Sequence, residues 1–99
     1  MIFHEVEKTV TPSAGTVAVN SGFVRGRAEL FYAKAVTGTT TFDLKIEDKD
    51  GRVVRHYREE EGTLRDTVPL PMLGKYTLTI ENASADEAIE IYIMLREGK

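Results

Sequence analysis

The chain contains no cysteine and no tryptophan. Without thiols there is no disulfide framework, no thiolate metal site and no cysteine nucleophile. Small extracellular domains often depend on disulfides, so their absence favours intracellular synthesis or stability gained by assembly with other chains. Histidine is nearly as scarce. His4 and His56 stand far apart, with no HxH or HExxH spacing, so a zinc site would need both brought to a carboxylate by the fold. Thirteen Lys and Arg against 16 Asp and Glu leave a net charge of −3. Non-specific nucleic-acid binding therefore has no electrostatic drive. No apolar run approaches the roughly 18 residues of a membrane span. The start, Met1-Ile2-Phe3-His4-Glu5, has neither a basic region nor an apolar stretch. It does not read as a signal peptide, and synthesis in the cytoplasm is expected. No low-complexity segment and no internal repeat is present.

What the chain does have is alternation. Its 99 residues, 41% hydrophobic, are enough for one domain with a single modest core. From Gly74 onward Tyr76, Leu78 and Ile80 point one way, and Thr77, Thr79 and Glu81 the other. Ile89, Ile91, Ile93 and Leu95 then alternate with Glu90, Tyr92, Met94 and Arg96. A period of two marks strands with one buried face. The polar stretch Asn82-Ala83-Ser84-Ala85-Asp86 between them reads as a hairpin loop. Tyr92 and Met94 fall on the nominally outer side, so that side is expected to be covered too.

The remainder follows the same rhythm. Phe3 to Thr11 is a strand with Val6 and Val10 inward, and Pro12-Ser13-Ala14-Gly15 is a turn. Thr16 to Val19 is a short strand broken by Asn20-Ser21-Gly22. Phe23 to Val36 is ambiguous, because Ala28 to Ala35 has good helix propensity. Both of its faces also suit a doubly buried strand, which is the expectation here. Thr40 to Asp48 puts Phe42, Leu44 and Ile46 inward and Asp43, Lys45 and Glu47 outward. Asp48-Lys49-Asp50-Gly51 is a hairpin turn leading to a strand from Arg52 to Arg58. Glu59-Glu60-Glu61-Gly62 is expected to be a solvated loop. Thr63 to Leu70 is a short strand held to an edge or a crossing by Pro69. About eight short strands with turn signals at this spacing indicate an all-β antiparallel sandwich, jelly-roll-like.

From Glu29 the pattern resembles a known family. The runs Leu30 to Ala35, Gly38-Thr39-Thr40, Phe42 to Val54, Val68-Pro69-Leu70 and Gly74 to Asn82 are similar to bacterial pre-peptidase C-terminal domains. That resemblance implies a non-catalytic jelly-roll sandwich of the type appended to secreted hydrolases. Unlike those domains, this chain is expected to carry neither an attached enzyme nor a secretion signal. By size and style the chain is also similar to the small β-sandwich proteins that decorate phage and viral capsids or build tails.

The residues capable of chemistry do not converge. Ser13, Ser21 and Ser84 sit in turns, outside any G-x-S-x-G context, with no histidine nearby. Asp48-x-Asp50-Gly51 begins like a calcium loop but lacks its completion. Asp48 and Asp50 are therefore only weak cation candidates beside their role in the turn. Glu59-Glu60-Glu61 could meet a basic partner. Asp43, Lys45 and Glu47 face solvent, which does not raise a carboxyl for acid–base work. Tyr32, Tyr57 and Tyr92 suggest packing, with a sugar platform as the sharper alternative. No cofactor motif is present.

These readings predict a non-enzymatic interaction module. Its interface candidates are Tyr92, Met94, Tyr57 and Val53, and its partners are protein: copies of itself, trimers or rings included, and a larger assembly such as a capsid or tail. The alternative is a carbohydrate- or substrate-binding module of the pre-peptidase C-terminal type.

Overall fold

The computed structural model describes residues 2–67 and 69–97. Among the described residues it contains seven strands and no helix. These are β1 (Ile2–Val10), β2 (Val17–Ala35), β3 (Thr41–Glu47), β4 (Val53–Glu61), β5 (Thr63–Asp66), β6 (Leu70–Glu81) and β7 (Ile89–Glu97). All pairings are antiparallel, in the order β1-β7-β2-β6-β3-β4, with β5 also on β2. The all-β sandwich expected from the alternation is what the chain forms.

The strand β2 is the spine. At about 3.3 Å per residue, its 19 residues would reach some 60 Å if straight. The whole molecule is only 41 Å long, so β2 must bend. Its first half, from Val17 to Ala28, pairs with β6, and its second, from Arg27 to Ala35, pairs with β7. The bend thereby splits one ladder into two layers. One is β1-β7-β2-β5 and the other is β2-β6-β3-β4. Phe31 on the second half of β2 meets Tyr57 of β4 edge-on, with ring centroids 6.3 Å apart. That contact joins strands far apart in the ladder, so the layers face each other.

Between the layers lies the core that the alternation predicts. Phe31, Phe42, Leu44, Ile46, Leu78, Ile80, Ile89, Ile91, Ile93 and Leu95 are all buried. Val6 and Val10 of β1 join them, opposite Ile93 and Ile89. The sequence from Phe23 to Val36 is strand, not helix. Phe31, Ala33 and Ala35 are buried on its core side, but Leu30 and Tyr32 on the other side are only half-buried and Lys34 is exposed, so the strand is not buried on both faces as expected.

Three expectations are corrected. First, there are seven strands because Thr16–Val19 and Phe23–Val36 are one. Asn20-Ser21-Gly22 forms a bulge, not a break. Ser21 Oγ accepts the Tyr76 N–H at 3.0 Å, so the ladder continues through a side chain. Second, β6 and β7 do not form a hairpin. Each pairs with β2, in different layers, and residues 82–88 cross between them. The polar residues of that crossing are tied down. Asp86 accepts from the Ala14 and Gly15 amides, and Glu87 from the Thr37 amide and hydroxyl. Third, Glu59-Glu60-Glu61 ends strand β4 and is not a loop. Glu61 is exposed, while the side chains of Glu59 and Glu60, like Val68, lie outside the described residues.

Gly62 makes the abrupt turn from β4 into β5 workable. Its φ is +73°, and a Cβ there would run into the Gly38 carbonyl. Its amide donates to Thr40 O and its carbonyl accepts the Ala35 N–H. Only glycine meets both demands.

Candidate functional site: the outer face of the β1-β7-β2-β5 layer

Register fixes which side chains share the outer face of this layer. Across the middle, Glu7 of β1 stands opposite Tyr92 of β7, Tyr92 opposite Tyr32 of β2, and Tyr32 opposite Arg65 of β5. One step along the strands, the row is Glu5, Met94 and Leu30. One step the other way it is Thr9, Glu90, Lys34 and Thr63. Leu30, Tyr32, Tyr92 and Met94 therefore form a contiguous apolar block on the two central strands. Each is half-buried by its neighbours, and among the described residues no other strand lies over them. The rim is charged.

Beside the tyrosines the face dips into a hollow of about 390 Å³. Tyr32, Tyr92, Glu7, Glu90 and Thr9 line it, together with Lys8 and Ile91. The Tyr92 hydroxyl donates to Glu5 Oε2 at 2.7 Å. That bond, with the Glu5 charge behind it, raises the Tyr92 pKa. The carboxylates of Glu7 and Glu90 have no hydrogen-bond or ion-pair partner among the described residues.

The four interface candidates separate. Tyr92 and Met94 belong to this face. Tyr57 does not, because β4 pairs it with Leu44 and its ring turns inward onto Phe31. Its hydroxyl donates to Asp66 Oδ2 at 2.7 Å, and burial, reinforced by that bond, pushes its pKa up. Val53 is 51% exposed, on β4 of the other layer. The sugar-platform trio reduces likewise to the Tyr32 and Tyr92 pair.

The remaining candidates also have places. Asp48 Oδ1 accepts the Asp50 and Arg52 amides at 2.9 Å, and Asp48 Oδ2 accepts Arg52 Nε at 3.0 Å. Donation by the Arg52 amide holds the Asp48 carboxyl below its usual pKa. Arg52 also reaches Asp50 Oδ2 at 3.0 Å, so the guanidinium sits where a cation would. Among the described residues no three metal-ligating side chains cluster. His4 and His56 stand on β1 and β4, the two ends of the ladder, and are not brought together. Asp43 keeps outward register with Lys45, yet is only 8% exposed and accepts from Asn82 Nδ2 at 2.9 Å. Ser84 Oγ accepts the Thr41 amide at 2.9 Å, a fastening role.

Two exposed side chains carry no signal in the alternation. Phe23 is 60% exposed and Leu73 is 69% exposed. Both lie beside glycines, at Gly22 and Gly74, where the pattern of inward and outward positions is interrupted.

Fold and surface together define a class: an all-β sandwich with one uncovered aromatic sheet face. No protein-family description and no curated protein sequence matches the chain. Among solved structures it is similar to the mitogen derived from Yersinia pseudotuberculosis. The TM-score is 0.54 at 12% identity, over 99% of this chain and 89% of that one. PliG of Aeromonas hydrophila, a periplasmic inhibitor of g-type lysozyme, aligns with a TM-score of only 0.40 at 12% identity, over 93% of this chain and 82% of that one. The mitogen likeness is one of fold alone.

Proposed function

We propose that the chain is a non-catalytic interaction module that associates with other protein chains, copies of itself included, through the outer face of the β1-β7-β2-β5 layer. The observation that carries this is the block of Leu30, Tyr32, Tyr92 and Met94 on the two central strands. A strand's outward positions are polar when they face water, and a contiguous apolar patch ringed by charge is how protein interfaces are built. Capsid or tail assembly is the setting proposed from the sequence, and a larger lattice would cover such a face.

A second reading has its own support. Two adjacent tyrosines beside free carboxylates and a threonine also suit a sugar ring, as in a carbohydrate-binding module. Light scattering over a concentration series, paired with a glycan array, separates the two. The interaction reading requires a mass that grows with concentration and falls to monomer in Met94→Glu. A strict monomer that retains glycan, and loses it in Tyr32→Ala, would replace that reading with the second.

A further inference from the structure

We propose that copies of this chain dock head to tail, with the bend of β2 and β6 in one copy entering the tyrosine–glutamate hollow of the next. This rests on the interaction reading above and names its partner.

The bend is a two-stranded arm. Between residues 23–26 of β2 and 72–75 of β6 the strands pair only with each other. The strand β7 joins β2 from Arg27, and β3 joins β6 from Thr77. Gly26 permits the bend, with φ at +134° and Arg96 O only 2.7 Å from where a Cβ would sit. On the inner side of the arm Val24 and Met72 are buried in the core. On the outer side Phe23 faces Lys75 across the pair, and Arg25 faces Leu73. The arm thus presents a checkerboard of two large apolar side chains and two cations. Phe23 and Leu73 are among the most exposed large apolar side chains described. The side-chain cations of Arg25 and Lys75 have no hydrogen-bond or ion-pair partner among the described residues.

The hollow offers the complement. Tyrosine faces accept both apolar contact and a cation over the ring. Glu7 and Glu90 supply unpaired carboxylates for charge-assisted bonds, although Lys8 lines the same hollow and Lys34 stands opposite Glu90. One copy cannot fill its own hollow. Arg25 and Tyr32 are seven residues apart on one strand, up to roughly 23 Å along it, and each is held in place by its own ladder, Arg25 on β6 and Tyr32 on β7. The contact is therefore between copies and heterologous, and such contacts close into rings or propagate as filaments.

Charge reversal with rescue tests this. One variant carries Arg25→Glu and Lys75→Glu, the other Glu7→Lys and Glu90→Lys. All four side chains are exposed, so neither change disturbs the core. Alone, each variant sets like charges against each other, and light scattering should show association weakened at least about tenfold. An equimolar mixture should restore association, with the two variants alternating, because each arm then meets an opposite hollow. Association of the unmodified chain should also weaken as salt rises. Four results overturn the proposal: a wild-type monomer at every concentration, variants that associate like wild type, a mixture without rescue, or salt-insensitive association. If the reversals are silent but Met94→Glu abolishes association, the head-to-tail contact falls and the face reading stands. If Met94→Glu is silent too, both fall.

Discussion

Replacing Ser21 by alanine probes the bulge on which the whole sandwich bends. Ser21 is 7% exposed, and its hydroxyl accepts the Tyr76 N–H at 3.0 Å while donating to Gly22 O at 2.7 Å. Alanine removes the acceptor and leaves the Tyr76 amide buried without a partner. The freed Gly22 carbonyl lies at a more open position and can turn to water. One orphaned buried donor costs about 1–3 kcal/mol. Taking about 2 kcal/mol, a domain of this size should melt roughly 8–16 °C lower. Urea denaturation followed by circular dichroism gives the free energy, and hydrogen exchange at Tyr76 gives the location. Ser13→Ala is the control, since only the Ser13 backbone is bonded to Thr16. If Ser21→Ala matches wild type in urea and the Tyr76 amide stays protected, β2 does not run through Ser21 as described.

Gly62→Ala combines a positive φ with a clash against the Gly38 carbonyl, and should cost about 2–4 kcal/mol in a denaturant titration. Tyr57→Phe leaves Asp66 without its hydroxyl donor and should lower stability by about 1–2 kcal/mol near neutral pH. The folded pKa of Tyr57 is raised above the unfolded value near 10, so its contribution is intact below about pH 10 and is lost as pH rises through the folded value. Wild type should therefore lose stability above about pH 10, and Tyr57→Phe should remove part of that slope in melts taken across the range. Arg52→Ala should leave the Asp48 carboxyl nearer its ordinary pKa, visible by NMR titration, because the guanidinium bonds go while the backbone donors stay.

The layers were legible in the alternation because period two is set by the backbone and survives any strand order. Ile89, Ile91, Ile93 and Leu95 all fell inward as that period requires. Pairing partners were not legible. The stretch from Asn82 to Asp86 has hairpin chemistry, yet its polar groups bind Gly15, Thr41 and the Ala14 amide instead of closing a turn. Local composition cannot distinguish the two uses. The bulge was hidden for a related reason: Asn20-Ser21-Gly22 suits a break equally well, and only the distant Tyr76 amide decides. At the candidate site, Tyr92 and Met94 stood out as apolar residues in outward phase. Tyr57 misled because bulges in the β3–β4 pairing shift its phase. Phe23 and Leu73 escaped notice because glycine kinks interrupt the rhythm that would have marked them.

A dilution series on isotope-labelled protein, read residue by residue by NMR, tests the interaction account most directly. Signals of Leu30, Tyr32, Tyr92 and Met94 should move together as concentration falls, with Phe23 and Leu73 moving alongside them. Shifts that are absent throughout, or confined to β3 and β4, would contradict it.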